Sequence, residues 1–95
     1  MNDYEVSPLA DADLKSIWDY IATDAPESAA AFHSELVAKF ELIADHPYVG
    51  RARDDVKRGL RSIPAGAYVV YYLVVKGGVR IHRVLHGARD TSALL

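Results

Sequence analysis

The sequence contains no cysteine, which excludes disulfide bridges and thiolate metal sites. No apolar run approaches the roughly 20 residues that a membrane-spanning helix requires. The first residues also lack the basic and apolar regions of a secretory leader. His33 and His46 have no metal-ligand spacing to another histidine. We therefore expect a cytoplasmic protein without a metal site, a cofactor or a membrane segment.

Two common catalytic motifs are also missing. Gly77-Gly78 is typical of a turn and not of the GxGxxG loop that holds a dinucleotide at the start of a helix. None of the serines lies in a nucleophile-elbow motif. The sequence thus offers neither a nucleotide-binding glycine loop nor the nucleophile of a serine hydrolase.

The length and composition favour one domain spanning residues 1–95. The chain has 95 residues, of which 51% are hydrophobic, and this is enough to fill a single two-layer core. A multidomain arrangement is therefore excluded.

Charge is divided between the two halves of the chain. Residues 1–50 hold ten acidic side chains against two lysines, a balance of -8, whereas residues 51–95 hold nine basic side chains against three aspartates, a balance of +6. A basic half favours a polyanion or an acidic protein as partner, although a solvated surface could carry the same division. The overall pI near 6.0 argues against non-specific nucleic-acid binding by the whole chain.

The first half predicts two helices. Ser7 can cap a helix that begins at Pro8, and its apolar stripe consists of Ala10, Leu14, Ile17 and Ile21. Trp18 and Tyr20 flank this stripe, and we expect both to pack against a second helix. That helix should begin at Pro26 and run to about Asp45. Together the helices form an αα-hairpin that needs a sheet to cover its apolar side.

The remaining segments predict strands at residues 4–6, 59–63, 68–75 and 79–86, with residues 51–58 as a charged loop and residues 64–66 as a turn. The strand at 68–75 is apolar on both faces, so something besides the helices should cover its second face. Lys76-Gly77-Gly78 provides the tight hairpin connection. The predicted order is β-α-α-β-β-β, an α+β fold.

Arg83 does not fit the alternation of the last strand. In regular register it shares a face with Val79, Ile81 and Leu85. An isolated charge on a buried face is too costly to tolerate. We expect either a bulge near Val84 that turns Arg83 away or a pairing with an acidic group such as Asp90.

Several short motifs follow one another in order along nearly the whole chain. They are ADL at 12–14, IWDYIA at 17–22, Pro26 with Ala29 and Phe32, HP at 46–47, GR at 50–51, GLR at 59–61 and RVLHGARD at 83–90. This series resembles the ParE toxins of the RelE/ParE superfamily, a group that includes plasmid stabilisation proteins and forms the toxic halves of bacterial type II toxin–antitoxin pairs. The resemblance implies a RelE/ParE-like fold in which the helical hairpin packs on a mainly antiparallel sheet.

The resemblance also implies partners. A ParD-like antitoxin would wrap the toxin in a hetero-oligomeric complex, and DNA gyrase would be the target, without direct sequence-specific binding of nucleic acid. The residues assigned to the antitoxin are Leu14, Ile17, Trp18, Ile21, Arg61 and Tyr71. Those assigned to the target are Arg80, Arg83, His86 and Arg89.

RelE relatives on the same fold cleave mRNA at the ribosome, so an enzymatic function stays open. A metal-independent endoribonuclease would use Arg61, Arg83, His86 and Arg89 around the phosphate. However, no tyrosine follows Tyr72, and Lys57 and Arg58 lie close to Asp54 and Asp55. We therefore favour a non-enzymatic toxin, in which His86 is a structural residue bonded to backbone at a strand end. A toxin fold that only binds its antitoxin is a further alternative.

Overall fold

The fold, described for residues 3–88 and 92–95 in a computed structural model, is a mixed five-stranded sheet with two helices on one face. The elements are β1 (Asp3–Val6), α1 (Pro8–Asp24), α2 (Pro26–Asp45), β2 (Arg51–Ala52), β3 (Leu60–Ala65), β4 (Tyr68–Val75), β5 (Gly78–His86) and a 3₁₀ turn (Ser92–Leu94). The strand order is β1-β5-β4-β3-β2. Only the β1–β5 pair is parallel among the strand pairs described. The predicted α+β fold with a mainly antiparallel sheet is confirmed.

Both helices begin where the sequence places them. The Ser7 hydroxyl accepts a hydrogen bond from the Ala10 amide at 3.0 Å, which satisfies one of the free donors of the first turn of α1. Ala25 is the C-cap of α1, and its amide donates a hydrogen bond to the Ile21 carbonyl at 3.0 Å, while Pro26 opens α2. One non-helical residue thus separates the two helices of the predicted αα-hairpin.

The main core lies between the helices and the sheet. It is built from Ile17 of α1, Leu36, Phe40 and Ile43 of α2, and Val70, Tyr72, Val79, Ile81 and Val84 of the sheet. Trp18 reaches α2 as predicted and meets the His33 ring edge to face at 5.6 Å. Tyr20 does not, and 76% of it is exposed. The reason is geometric, since residues two apart on a helix point about 200° apart and cannot face the same neighbour.

A second, smaller apolar cluster covers the outer face of the sheet. Leu60, Tyr71 and Leu85 are buried there, and Val56 and Leu95 pack against them. The loop after β2 and the segment 92–95 therefore cover the side that the helices leave open. This arrangement explains why β4 is apolar on both faces, as predicted.

Two predictions in the middle of the chain are wrong in detail. Residues 51–58 contain the short strand β2, which pairs with Arg61 and Ser62 of β3. Strand β3 also runs through Pro64 to Ala65, so that the turn falls on Gly66 and Ala67. Pro64 lies beyond the end of β2, where its missing N–H leaves no ladder partner unsatisfied.

A bulge in β5 resolves the misfit of Arg83. Tyr72 pairs with Ile81 and Tyr71 with Arg83, so His82 is the extra residue. The insertion moves Arg83 from the face of Ile81 to the face of Tyr71. The predicted bulge is present, at His82, two residues before Val84. None of the helices described is both long and apolar enough to cross a membrane.

Candidate functional site

A groove of about 430 Å³ lies between α1 and the last residues of β5. It exists because β1 pairs with β5 only as far as Val6 and Ile81, after which the chain turns into α1. From Arg83 onward, β5 has only β4 as a described strand neighbour. The lining residues are Asp13, Ser16, Ile17, Tyr20 and Ile21 of α1, and Ala67, Tyr68, Val84, Leu85 and His86 of the sheet.

Asp13 ties α1 to β5 at one end of this groove. Its carboxylate accepts hydrogen bonds from Arg83 Nε and Nη2, both at 2.8 Å, and from the Val84 amide at 3.0 Å. The hydrogen bond to Asp13 raises the pKa of the Arg83 guanidinium against the opposing effect of burial. The Arg83 and Asp13 side chains are only 14% and 12% exposed. The bidentate geometry and this burial mark the pair as a structural tie.

The partner proposed for Arg83 from the sequence, Asp90, lies outside the described residues, as does Arg89. Arg83 also donates from Nη1 to the Leu94 carbonyl at 3.3 Å. It therefore joins three segments, namely α1, β5 and the 3₁₀ turn. Its contact with Asp13 spans 70 positions, and no local pattern in the sequence indicates it.

His86 lies at the end of β5, on the wall of the groove. Its Nδ1 accepts a hydrogen bond from the Ala88 amide at 3.1 Å, so the acceptor nitrogen carries no proton in this arrangement. The ring meets Tyr68 edge to face at 5.3 Å. This is the backbone-bonded position that the sequence suggested as the structural alternative for this residue.

Arg80 and His82 lie nearer the start of β5. Arg80 is paired with Glu5 of β1 at 2.9 Å. The Nε2 atom of His82 is 3.4 Å from the Leu95 carbonyl oxygen. Burial lowers the pKa of His82, as do the nearby cations, while the Leu95 carbonyl opposes this shift.

The structure divides the residues assigned to the antitoxin among four places. Ile17 and Ile21 line the groove and also, with Leu14 and Trp18, the cleft between the helices. Tyr71 is buried in the outer cluster, and Arg61 lies on β3. Ser16 and Tyr20, which follow Asp13 at helical spacing and belong to the α1 wall, were not predicted as site residues. The β5 wall was not predictable, because it depends on where β1 ends.

Arg61 belongs to a hydrogen-bond network around the segment that follows α2, which we call the 47–50 loop. Its Nη1 donates to the carbonyls of Gly50 at 2.6 Å and Tyr48 at 3.3 Å. The Tyr72 hydroxyl donates to the Pro47 carbonyl and accepts from the Gly50 amide, each at 2.8 Å. Burial raises the pKa of this hydroxyl. The network fixes the loop against the sheet.

The residues assigned to a nuclease site do not converge in the described structure. Arg61 is opposite Tyr72 on the helix-facing side of the sheet, and Arg83 is opposite Tyr71 on the outer side. His86 lies at the far end of β5, opposite Tyr68. Within residues 3–88 and 92–95, no three histidine or acidic side chains are grouped closely enough to hold a metal ion.

Known proteins resemble this chain over nearly its whole length. Toxin ParE1 of Caulobacter vibrioides is 39% identical over 98 aligned residues, which cover 100% of this chain and 99% of the relative. Toxin RelE2 of the same organism is 36% identical over 78 residues, covering 82% and 86% of the two chains.

The fold also matches a solved structure described as the chromosomal ParDE TA system from P. aeruginosa. The TM-score is 0.77 at 20% identity, and the match covers 90% of this chain and 96% of that one. Residues 4–91 match the family described as ParE toxin of type II toxin-antitoxin system, parDE. The chain therefore belongs to the ParE toxin family of type II toxin–antitoxin systems.

Proposed function

We propose that this toxin acts in the cytoplasm by inhibiting DNA gyrase through protein contact, and that a ParD-like antitoxin neutralises it by filling the groove between α1 and β5. The observation that carries the antitoxin part of the proposal is the groove itself. It combines an apolar wall with a strand edge that has no strand partner among the described residues.

The groove has the features that a peptide segment requires. A strand edge supplies backbone hydrogen bonds to an extended peptide, and an adjacent apolar helix face holds alternate side chains. Tyr20 is 76% exposed beside Ile17 and Ile21, so its ring is available to such a segment. The structure of similar fold is described as a ParDE system, which supports an antitoxin as a partner.

The antitoxin part is tested by co-expressing the toxin with the small reading frame adjacent to its gene. We expect a stable complex, and we expect Tyr20→Ala to lower the affinity at least tenfold by isothermal titration calorimetry. Leu42→Ala, an exposed apolar position on α2, is the matched control and should keep the affinity. An unaltered affinity in Tyr20→Ala would place the antitoxin elsewhere.

Gyrase inhibition is supported by the distribution of the catalytic candidates. Metal-independent RNA cleavage needs a base, an acid and cations around one phosphate. Arg83 is engaged by Asp13, Arg61 by backbone carbonyls, and the Nδ1 atom of His86 by an amide. These positions suit stabilisation of the fold better than proton transfer, so a binding function is favoured over a nuclease.

Purified toxin should inhibit supercoiling by gyrase and increase DNA cleavage by the enzyme, without cutting mRNA on programmed ribosomes. The cations proposed as contacts are Arg80, Arg83 and Arg89, together with His86. Because Arg83 also holds the fold, Arg80→Ala/Arg89→Ala is the better variant, and it should lose inhibition. Lys15→Ala, which removes a cation exposed on α1, is the control.

Ribosome-dependent mRNA cleavage is the second candidate, favoured by the identity to Toxin RelE2. Codon-positioned cuts that vanish in His86→Ala, with gyrase unaffected, would replace the gyrase proposal. Activity in neither assay, together with tight antitoxin binding, would indicate a fold that only binds its antitoxin.

A further inference from the structure

The 47–50 loop presents two exposed apolar side chains at the end of α2. Tyr48 is 69% exposed and Val49 49% exposed. Scattered apolar residues on a surface need no explanation. These two are adjacent, however, and hydrogen bonds from side chains of the sheet fix the backbone that carries them.

Two side chains of the sheet, Tyr72 and Arg61, fix the backbone of the 47–50 loop. Tyr72, which is fully buried, bonds both the Pro47 carbonyl and the Gly50 amide, while Arg61 bonds the carbonyls of Tyr48 and Gly50. A Cβ atom at Gly50 would lie 2.5 Å from the Tyr72 hydroxyl, so the loop lies directly on this side chain. A segment held in this way loses little conformational entropy when a partner binds it.

The surroundings of the loop are basic. Arg51 is exposed beside it, and the Arg61 guanidinium lies 5.0 Å from the centre of the Tyr48 ring. Within the described residues Arg61 donates to carbonyl oxygens and to no carboxylate. Of the nearby acids, Asp55 pairs with Arg53, whereas Asp54, which accepts from the Gly59 amide and lines the same pocket as Tyr48, keeps its negative charge. Arg51 and Arg61 outnumber this one carboxylate, so the surroundings of the exposed pair are positive on balance.

The position of the loop separates it from the antitoxin groove. The groove lies beside β5, whereas the loop leads into β2, at the opposite edge of the sheet. A segment that fills the groove has no need to cover Tyr48. The two surfaces can therefore serve different partners.

We propose that Tyr48, Val49 and Arg51 form the anchor by which this toxin holds its target, a protein with an apolar pocket rimmed by carboxylates. Exposed aromatic and arginine side chains on a rigid support are the groups that dominate protein interfaces. The inference rests on the proposed function in one respect, that the target is a protein. It adds an apolar anchor to the cations of β5.

A protein fits this surface better than a nucleic acid does. Nucleic-acid sites stack bases on free aromatic faces, but one face of Tyr48 is already covered by Arg61. Val49 adds an aliphatic surface that suits an apolar pocket. The charge of the pocket rim follows from Arg51 and Arg61, which favour carboxylates.

The test measures growth arrest after induction of the toxin without its antitoxin, using Tyr48→Ala/Val49→Ser. We expect the arrest to be lost, while the purified variant keeps its thermal midpoint and its affinity for the antitoxin. Arg51→Glu should weaken the arrest as well. Val75→Ser, an exposed apolar residue at the end of β4, is the matched control and should arrest growth like the original chain.

Other outcomes would overturn the inference. Arrest that persists in Tyr48→Ala/Val49→Ser would remove the anchor, even if gyrase inhibition is observed. Loss of arrest accompanied by loss of codon-positioned mRNA cuts would identify a nucleic-acid contact instead. If the original chain itself does not arrest growth, the toxin has no target in the cell and the inference is wrong. If the original chain arrests growth and Tyr48→Ala/Val49→Ser does not, while gyrase is unaffected, the inference holds and the target is a protein other than gyrase.

Discussion

Arg83 and Asp13 form the least exposed of the four ion pairs in the described part of the chain. Removing one partner of a buried pair leaves the other charge without compensation and costs roughly 3–5 kcal/mol. Since both side chains keep more than 10% exposure, we expect Arg83→Ala to lower the free energy of unfolding by about 2–3 kcal/mol. Urea denaturation measures this directly.

The double variant Arg83→Met/Asp13→Leu is the control for this ion pair. Replacing both charges by apolar groups of similar size is often nearly neutral, so it should recover most of the stability, apart from the lost bond to Val84. A loss in Arg83→Ala below about 0.5 kcal/mol, the scale of an exposed pair, would mean that the tie contributes little. Arg83 would then be freely available to a target.

His82 makes stability depend on pH. Its pKa in the folded chain lies below the ordinary value, chiefly because of burial and then because of Lys57, Arg83 and Arg80. The unfolded chain therefore binds more protons as the pH falls below about 6.5. The contribution of His82 to the free energy of unfolding should be fully present above about pH 6.5 and should be lost as the pH falls through the pKa of His82 in the folded chain.

Thermal midpoints recorded between pH 7.5 and 5 test this dependence. His82→Gln should flatten the decline, whereas His46→Gln, at an exposed histidine after α2, should leave it unchanged. An equal slope in His82→Gln and the original chain would assign the acid sensitivity to other groups.

At the scale of elements, Gly77 in the turn after β4 and Gly78 at the start of β5 meet different demands. A Cβ atom on Gly78 would lie 1.8 Å from the Asp3 carbonyl oxygen, whereas Gly77 has no atom within 4 Å but adopts a φ of +84°. Gly78→Ala must push β1 away from β5 and should cost about 2–3 kcal/mol or more. Gly77→Ala meets only backbone strain, about 1–2 kcal/mol.

The two glycine variants can be distinguished by more than the size of the loss. Amide exchange of residues 3–6 should accelerate in Gly78→Ala and stay slow in Gly77→Ala, because only the former separates the strands. Equal exchange in both variants would contradict the close approach of β1 to β5.

The substitution Tyr72→Phe tests how much the hydrogen bonds beneath the 47–50 loop contribute to stability. The substitution keeps the ring in the core but leaves the Gly50 amide and the Pro47 carbonyl without their partner. A buried donor left unsatisfied costs roughly 1–3 kcal/mol, so we expect a loss of about 2 kcal/mol in urea unfolding. Tyr68→Phe is the control, since it keeps the ring contact with Phe32. A Tyr72→Phe chain as stable as the original would show that water replaces the hydroxyl.

The helices and the long strands could be predicted from the sequence because each carries its own local signal. Ser7-Pro8 and Ala25-Pro26 start the helices, and the apolar run of β4 has the length of a strand. Strand β2 could not be predicted, because two residues give no periodicity and form a strand only by pairing with β3. The bulge at His82 was indicated by Arg83, but its position depends on the partner strand.

At the scale of the whole molecule, the candidate sites are assembled from distant parts of the chain. The helix wall of the groove contains Ile17 and Ile21, which the sequence identified, while the β5 wall arises because β1 is short. The 47–50 loop is fixed by Tyr72, which is more than 20 positions away along the chain. Long-range contacts of this kind leave no local pattern. The sequence therefore indicated the family and the helix wall of the groove, but not the β5 wall or the 47–50 loop.

The separation of the groove from the 47–50 loop predicts where hydrogen exchange changes when the antitoxin binds. In the complex, the amides of residues 83–88 should become protected, because an added segment covers the edge of β5 and the adjacent face of α1. When the free antitoxin concentration is about 100 times the dissociation constant, amides that exchange only in the unbound toxin should exchange roughly 100-fold more slowly. Residues 47–53 should exchange as they do in the free toxin. Protection of residues 47–53 without protection of residues 83–88 would instead place the antitoxin on the 47–50 loop, and Tyr48 would then contact the antitoxin.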